Sequence, residues 1–201
     1  LGDLFVAIPG YSTDGHSFLF EAIEGGAVAL FVQKDARSSW AHLPGDYPIV
    51  AVDNTRIALA ISAANFYGNP SQELTVIGVT GTDGKTTTTH FMTKIFEEAG
   101  YKVGRLGTVD AYITGAEQDA LPSSDLTTPE AVQVQKLLRA MVDAGCAFAI
   151  VESSSHGLAL HRLDSVAFDT AVLTNVSGDH LDFHKTFKNR YCNTRTCRFK
   201  S

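Results

Sequence analysis

The chain has 201 residues, of which 44% are hydrophobic and 19% are charged, the balance of an ordinary folded globular protein. Its net charge of −6 provides no broad basic surface, which disfavours nucleic acid and membranes as partners and makes any phosphate recognition local. No apolar run reaches the roughly 20 residues that span a bilayer, and the first residues lack a signal-peptide pattern. We therefore expect a cytoplasmic protein.

Three short apolar runs in the first third of the chain are typical of buried strands in an α/β layer. They cover residues 4–8, 27–32 and 49–52, with a possible helix at residues 18–24. A longer helix is predicted at residues 55–67, where Ile57, Ile61 and Ala64 fall on one face. The sequence Gly68-Asn69-Pro70-Ser71 breaks this pattern, so we predict two domains, residues 1–70 and 71–201.

The rest of the chain alternates predicted strands and helices, which indicates a mostly parallel sheet. Strands are expected at residues 74–80, 102–109, 147–151 and 167–173. A helix at residues 85–99 aligns Phe91, Ile95 and Ala99, and Gly100 should end it. Because ligands gather at the carboxyl ends of parallel strands, the polar residues that follow the strands, from Thr80, Glu152 and Thr174 onward, should converge.

A second long helix is predicted between Thr128 and Gly145. Thr128 is its expected N-cap and Pro129 its first residue, since proline fits the first helical position. Cys146 begins the next apolar strand and is expected to be a buried thiol. The predicted buried stripe of the helix consists of Val134, Leu137, Leu138 and Met141.

The strongest functional signal is a glycine-rich turn between a predicted strand and a predicted helix. Backbone N–H groups of such a turn can surround phosphate oxygens, Lys85 adds positive charge, and the Thr86 hydroxyl can bind Mg²⁺. A strict P-loop has glycine where Val79 stands, but the Gly-Lys-Thr ending favours a nucleotide triphosphate site over a merely structural turn. The predicted nucleotide-binding residues are Gly81, Thr82, Asp83, Gly84, Lys85, Thr86 and Thr87.

The pattern Gly-x-x-Gly-Thr-x-Gly-Lys-Thr at residues 78–86 resembles that of Mur ligases and their folylpolyglutamate synthetase relatives. Three more segments are similar in order and spacing to ligases that add the third residue to UDP-N-acetylmuramoyl dipeptide: residues 126–129 (Leu-Thr-Thr-Pro), 152–158 (Glu-Ser-Ser-Ser-His-Gly-Leu) and 174–184 (Thr-Asn-Val-Ser-Gly-Asp-His-Leu-Asp-Phe-His). Residues 4–10, followed by Asp14-Gly15-His16, resemble the uridine-binding domain of the same enzymes. The resemblance covers about residues 1–187.

This resemblance implies an N-terminal small α/β uridine-binding domain and an incomplete central P-loop domain with a mostly parallel sheet. It implies an ATP-dependent, Mg²⁺-requiring ligase in which the substrate carboxylate attacks ATP to give an acyl phosphate, which an amino acid then attacks. The substrates would be UDP-N-acetylmuramoyl-L-alanyl-D-glutamate and an amino acid that the sequence does not identify. We expect a monomer.

The resemblance also assigns roles to individual residues. Lys85 and His180 would be catalytic, Asn175 would contact ATP, and Thr86, Glu152 and His180 would hold Mg²⁺. The substrate would be bound by Tyr11, Ser12, Thr13, Thr127, Thr128, Ser155 and Arg162.

Each role competes with a simpler structural explanation. A carboxylate at a strand end, such as Glu152, is costly unless it holds a cation or is otherwise paired by hydrogen bonds. Capping alone would explain Thr128, and a surface salt bridge would explain Arg162, although its planar fork suits a carboxylate or pyrophosphate. His156, His161 and His184 are as readily structural as functional.

Several residues depart from the family pattern. Asp83 stands where the family most often has asparagine, and no lysine stands near Thr194, where the family carries a carbamylated lysine at the metal site. We expect the tail at residues 189–201 to resemble nothing in the family, and these 201 residues to lack the C-terminal ligase domain that the resemblance implies. We therefore predict that these 201 residues bind ligands without efficient turnover; the alternatives are another P-loop NTPase or a non-catalytic remnant that binds nucleotide sugar and ATP.

Overall fold

A computed structural model describes residues 2–10, 13–116, 126–177 and 184–186 of the chain. Contacts divide it into two compact units, Leu1–Leu59 and Ala60–Ser201. This division falls inside helix α3, Thr55–Phe66, whereas the sequence places the domain boundary near residue 70, and that boundary stays a prediction. None of the helices among the described residues is long and apolar enough to cross a membrane.

The first unit is built on a three-stranded parallel sheet in the order β1-β2-β3. The strands are β1 (Leu4–Val6), β2 (Ala29–Gln33) and β3 (Ile49–Val52), and the helices are α1 (Leu19–Glu24), α2 (Arg37–Trp40) and the start of α3. Single 3-10 turns lie at Gly15–Phe18 and Lys34–Ala36. Its core is formed by buried Ala7, Leu19, Leu30, Val32 and Leu43.

The second unit contains a five-stranded sheet in the order β6-β5-β7-β4-β8. Its strands are β4 (Thr75–Thr80), β5 (Val103–Leu106), β6 (Ala111–Ile113), β7 (Phe148–Glu152) and β8 (Thr170–Leu173). Its helices are α4 (Lys85–Glu98), α5 (Ala131–Asp143) and α6 (Ser155–Ala159), with a 3-10 turn at Pro70–Gln72. Every pairing is parallel except β5 with β6, so the predicted α/β class with a mostly parallel sheet is confirmed.

Helix α5 covers one face of this sheet with the stripe that the sequence predicts. Its buried residues Val134, Leu137, Leu138 and Met141 join β4, β5 and β7 side chains in the main core, and Cys146 is buried beside them as expected. Burial raises the pKa of the Cys146 thiol. Gly145 follows the helix at φ 74°, the left-handed conformation that ends many helices.

Helix α4 packs through a face that the sequence does not predict. Phe91 and Ile95 are 66% and 65% exposed, whereas Thr89 and Thr93 are buried. Each buried threonine donates its hydroxyl to a backbone carbonyl one turn earlier, Thr86 O and Thr89 O, both at 2.8 Å. The helix itself thereby satisfies the hydrogen bonds of these hydroxyls, so the threonines are buried at little cost. The predicted apolar stripe is wrong, because Phe91 and Ile95 are exposed.

Three smaller expectations are also corrected. In α3, Ile61 is 48% exposed, because the buried face is formed by the smaller Ala60, Ala63 and Ala64. The single strand expected at residues 102–109 ends at Leu106, and an antiparallel hairpin with β6 follows it. Helix α5 begins at Ala131 after Glu130, so Thr128 is not its N-cap.

Candidate nucleotide and substrate site

The ends of three neighbouring strands bring the polar segments of the second unit together. In the order β7-β4-β8, Val79 pairs with Glu152 and Thr80 with Leu173, so all three strands finish at the same edge of the sheet. The phosphate loop follows β4, residues 153–156 follow β7, and Thr174 and Asn175 follow β8. The predicted convergence at Thr80, Glu152 and Asn175 is thus confirmed.

The phosphate loop, residues 81–84, has a backbone that only glycine accommodates easily. Gly81 has φ 140° and Gly84 has φ 82°. A Cβ atom on Gly81 would lie 2.1 Å from the Thr174 Oγ1 atom, so this glycine is needed for close packing as well as for conformation. Helix α4 starts directly after Gly84, and its free N–H groups and Lys85 make this end an attractive place for an anion.

Lys85 lies over its own loop. Its Nζ atom donates hydrogen bonds to the carbonyl oxygens of Gly81 at 3.0 Å and Thr82 at 2.9 Å. The ammonium is thus held against the backbone of the loop that is expected to bind phosphate.

Residues after β8 brace the phosphate loop through its backbone. The Asn175 Oδ1 atom accepts the Asp83 N–H at 3.2 Å, and its Nδ2 donates to the Asp83 carbonyl at 3.0 Å. The Asn175 carbonyl accepts the Thr82 N–H at 3.0 Å, and Thr174 Oγ1 lies 2.7 Å from the Asp83 carbonyl. Asn175 therefore shapes the loop, while its predicted contact with ATP stays a prediction.

Glu152 is a buried carboxylate beside the phosphate loop. It is 1% exposed, and its Oε2 accepts hydrogen bonds from Thr108 Oγ1 at 2.7 Å and Thr108 N–H at 3.3 Å. Its Oε1 has only a 3.5 Å contact with Thr89 Oγ1. An acidic oxygen so poorly satisfied by donors fits a divalent cation, the group that the family resemblance implies here.

The other predicted metal ligands are only partly described. Thr86 lies in the first turn of α4, whereas His180 lies outside the described residues. Within the described ranges, no three His, Cys, Asp or Glu side chains group together as a complete metal site. The metal roles of Thr86, Glu152 and His180 therefore stay predictions.

One cavity of about 260 Å³ joins the phosphate loop to the predicted substrate residues. Gly81, Thr82 and Lys85 line one side of it. The remaining lining residues are Leu126, Thr127, Thr128, Ser154, Ser155, His156 and Arg162. Four of the predicted substrate residues, Thr127, Thr128, Ser155 and Arg162, are therefore brought beside the loop.

Thr128 connects the segment before α5 to the end of β7. Its hydroxyl donates to the Glu152 carbonyl at 2.9 Å and accepts the Ser154 N–H at 3.0 Å, which is why it does not cap α5. A Cβ on Gly157 would lie 2.6 Å from the Thr128 Cβ, so glycine permits this close packing. Thr128 is 1% exposed, and its substrate contact stays a prediction.

Arg162 is held in place but not fully satisfied. One guanidinium nitrogen donates to the Thr128 carbonyl at 3.0 Å, and another lies 2.7 Å from the Glu130 carboxylate. Its side chain is 12% exposed, and its buried Nε has no hydrogen-bond partner among the described residues. A surface salt bridge therefore does not fully account for Arg162, because the residue is largely buried and its pair with Glu130 leaves a buried donor unpaired within the described part of the chain.

Ser155 is positioned by two neighbours that sequence reasoning does not connect. It opens α6 after Ser154, whose Oγ accepts the Gly157 N–H at 3.0 Å as an N-cap. The Ser155 Oγ lies 2.9 Å from Nε2 of buried His184. His184 thus contacts a residue that lines the cavity.

The remaining predicted substrate residues belong to the first unit, at a turn closed by a hydrogen bond between Gly10 and Thr13. Tyr11 and Ser12 lie outside the described residues, and Thr13 is exposed on the turn, where its carbonyl accepts the Gly10 N–H at 3.0 Å. Buried His16 contacts Asp14 Oδ1 at 2.7 Å and accepts the Gln33 N–H at 3.0 Å, which fastens the turn to β2. The Asp-Gly-His segment therefore has a structural role, and the role of Thr13 stays a prediction.

A phosphate loop between a parallel strand and a helix, with a lysine and a buried glutamate beside it, defines a P-loop nucleotide-binding protein of the α/β class. Residues 79–197 match the Mur ligase middle domain, and residues 1–67 match the family described as Mur ligase, catalytic domain. The chain belongs to the Mur ligase family, as the resemblance in the sequence indicates. The match extends to residue 197, so the expectation that residues 189–201 resemble nothing in the family is wrong for residues 189–197.

Individual relatives agree with this assignment. The UDP-N-acetylmuramoyl-L-alanyl-D-glutamate–2,6-diaminopimelate ligase of Clostridium botulinum is 46% identical over 200 residues, which cover 100% of this chain and 40% of that protein. The UDP-N-acetylmuramyl-tripeptide synthetase of Roseiflexus is 47% identical over 188 residues, 92% of this chain and 36% of the relative. The chain thus spans about 40% of the length of the relatives it matches.

Solved structures show the same fold. A UDP-N-acetylmuramoyl-L-alanyl-D-glutamate–2,6-diaminopimelate ligase structure superposes with a TM-score of 0.75 at 25% identity, covering 96% of this chain and 38% of that one. The MurF ligase of Thermotoga maritima in complex with ADP gives a TM-score of 0.59 at 24% identity, over 96% and 39% of the two chains. The second likeness concerns the fold alone.

Proposed function

We propose that this chain forms the nucleotide-sugar-binding and ATP-binding parts of a peptidoglycan ligase. The ligase would join an amino acid to UDP-N-acetylmuramoyl-L-alanyl-D-glutamate at the expense of ATP. The observation that carries the proposal is the shared cavity, in which Lys85 of the phosphate loop and Arg162 line the same space. A carboxylate-activating enzyme must bring together a cation that binds phosphate and a group, such as a guanidinium, that binds the substrate carboxylate.

The described residues suit the first chemical step, in which a substrate carboxylate oxygen attacks the γ-phosphorus of ATP and ADP leaves. Loop N–H groups and Lys85 stabilise the negative charge on the phosphate oxygens, as expected for phosphoryl transfer. Arg162, anchored by Glu130 and Thr128, holds the substrate anion in place. Two divalent cations, one held by Thr86 and Glu152 and the other by Glu152 and His180, would neutralise further charge on the phosphates.

Residues 1–70 are proposed as the nucleotide-sugar-binding domain and residues 71–201 as part of the ATP-binding domain. In the first, Tyr11, Ser12 and Thr13 would contact the nucleotide sugar. The names of the relatives support 2,6-diaminopimelate as one candidate for the incoming amino acid. We further propose that the protein acts in the cytoplasm as a monomer.

The proposal is tested by calorimetric titration of the folded 201-residue chain with UDP-N-acetylmuramoyl-L-alanyl-D-glutamate and, separately, with Mg-ATP. We expect saturable binding of both ligands. Lys85→Ala should weaken ATP binding by at least about tenfold, since it removes a charge-assisted contact with phosphate. Arg162→Ala should weaken binding of the nucleotide sugar by a similar factor, because it removes a guanidinium from the cavity.

Two matched variants control for charge and stability. Lys136→Ala removes an exposed lysine from α5, and Arg139→Ala removes an arginine that pairs with Glu73 and Asp143 away from the cavity. Neither should change binding. Normal ATP binding with no heat from the nucleotide sugar would reject the ligase proposal in favour of another P-loop NTPase.

A further inference from the structure

The buried Glu152 carboxylate is held asymmetrically by the turn between β5 and β6. Thr108 Oγ1 donates to Oε2 at 2.7 Å, and the Thr108 N–H points to the same oxygen at 3.3 Å. Both contacts come from one residue in a hairpin that the sequence pattern does not predict. One carboxylate oxygen is therefore fixed by protein donors.

The second oxygen of Glu152 is left almost without a donor. Its contact with Thr89 Oγ1 is 3.5 Å long, while the same hydroxyl lies 2.8 Å from the Thr86 carbonyl. A threonine hydroxyl has a single proton, so the shorter bond takes it. The Oε1 atom of a 1% exposed carboxylate is thus oriented but unsatisfied, and this is costly unless a cation completes it.

Gly107 has no side chain and so leaves space for the Glu152 carboxylate. A Cβ atom built on this residue would lie 3.0 Å from Glu152 Oε1 and 3.1 Å from its Cδ. These distances are shorter than ordinary van der Waals contacts. The Glu152 carboxylate is buried, so it has little space into which it could move. A side chain at residue 107 would therefore displace the carboxylate that Thr108 fixes.

We propose that Gly107 and Thr108 are positioning residues that fix the Glu152 carboxylate so that Oε1 is presented to a divalent cation bound with the nucleotide. This inference rests on the proposed function, in which Glu152 faces the metal of a nucleotide. Thr108 acts through Glu152 and touches no substrate. Groups that orient a metal ligand in this way commonly change metal affinity by about 10–100-fold.

The test compares the affinity of the folded 201-residue chain for the ATP analogue AMP-PNP in Mg²⁺ and in EDTA. The Mg²⁺ ratio is the dissociation constant in EDTA divided by the dissociation constant in Mg²⁺. It measures how much the metal strengthens nucleotide binding. Thr108→Val removes the hydroxyl at an exposed position, so it opens no cavity. We expect the ratio to fall about tenfold while the affinity in EDTA is unchanged, and Thr108→Ser should restore most of the ratio.

Two further comparisons separate positioning from simple loss of stability. Thr114→Val removes a hydroxyl from the same hairpin region that donates to Glu97 at 2.8 Å, so it should cost stability without changing the ratio. Glu152→Gln should reduce the ratio, and adding Thr108→Val to it should reduce it no further, because Thr108 acts only through the carboxylate. Additive losses in this cycle would overturn the inference.

Other outcomes are equally decisive. An undiminished Mg²⁺ ratio in folded Thr108→Val, with normal AMP-PNP binding, would overturn the positioning role and leave the proposed function intact. Absence of AMP-PNP binding in the wild-type chain would overturn both. If Thr108→Val does not fold, Gly107→Ala decides, since its added Cβ should lower the ratio by moving the carboxylate.

Discussion

Single side chains in this protein replace contacts that secondary structure usually makes. The Asn175 amide pairs with both the N–H and the carbonyl of Asp83, much as a neighbouring strand would. The proposed phosphate-binding loop contains two glycines with positive φ, Gly81 at 140° and Gly84 at 82°, so its backbone has little stiffness of its own. A side chain from the adjacent strand end supplies that stiffness.

Replacing Asn175 with alanine should therefore loosen the phosphate loop. We expect a loss of about 1–2 kcal/mol in the free energy of unfolding, from two missing hydrogen bonds, together with weaker AMP-PNP binding. Amide hydrogen exchange at Asp83 should become faster in the absence of nucleotide. Asn65→Ala, at an exposed position of α3, is the control. Weaker nucleotide binding with unchanged stability and exchange would instead indicate that Asn175 contacts ATP directly.

Glu97 is the other residue whose surroundings decide its behaviour. The Lys94 ammonium at 2.6 Å, and then the hydroxyls of Tyr112 and Thr114, hold the pKa of this carboxyl at about 2, below its usual 4.5. Its side chain is only 13% exposed. Because the pKa is lowered by folding, the ionised group stabilises the fold above about pH 4.5, and this contribution is lost as the pH falls toward 2.

The Glu97→Gln variant should accordingly lose part of the acid sensitivity of the wild type. At pH 7 we expect it to be less stable by about 1–2 kcal/mol, a value discounted because Lys94 is largely exposed to solvent. Between pH 5 and pH 3 the wild type should lose more stability than the variant, as measured by urea unfolding. Exposed Glu98→Gln serves as the control. Parallel pH profiles for wild type and Glu97→Gln would contradict this prediction.

At the scale of elements, helix α5 packs closely against strand β5 because Gly104 of the strand has no side chain where Met141 of the helix lies. A Cβ on Gly104 would lie 2.2 Å from the sulfur of Met141, which is fully buried on α5. The distance between helix and sheet is thus set by one residue without a side chain and one large, adaptable side chain.

Changing these two residues together should show their coupling. Gly104→Ala should cost about 1–3 kcal/mol by overpacking, and Met141→Ala about 2–5 kcal/mol by leaving a cavity. In the double variant the new methyl group occupies part of that cavity, so we expect a smaller loss than the sum. Urea unfolding measures each value, and Gly45→Ala, which meets no atom within 4 Å, is the control. Strict additivity would mean that the two elements do not constrain each other.

At the scale of the whole molecule, the two units each have a core of their own. The residues described in the second unit supply a phosphate loop and a cavity beside it. The whole chain corresponds to about 40% of the length of the relatives. In the sequence, no lysine stands near Thr194, where the family resemblance implies a metal-supporting one.

We therefore predict that the 201-residue chain binds its ligands without efficient amide formation. Mg-ATP at about 100 times its dissociation constant should stabilise the chain by about 2.7 kcal/mol, measured as a rise in the unfolding temperature. Incubation with ATP, UDP-N-acetylmuramoyl-L-alanyl-D-glutamate and 2,6-diaminopimelate should yield no product by mass spectrometry. The Clostridium botulinum relative is the positive control. Product formation by this chain would refute the prediction.

The sequence by itself determines the features that depend on local order along the chain. The phosphate loop, the parallel strands that precede each polar segment and the buried stripe from Val134 to Met141 all follow from residue spacing. Periodicity and turn chemistry act within one element, so they can be read from one segment at a time.

Only the tertiary structure decides which face of α4 is buried, why Thr128 does not cap α5 and how Thr108 reaches Glu152. Thr89 and Thr93 are buried in place of the expected Phe91 and Ile95, and their hydroxyls can be buried because the helix carbonyls accept their protons. Thr128 and Thr108 form hydrogen bonds across 24 and 44 residues of sequence. Such partners are brought together by the packing of strands and helices, so no pattern in either segment reveals them.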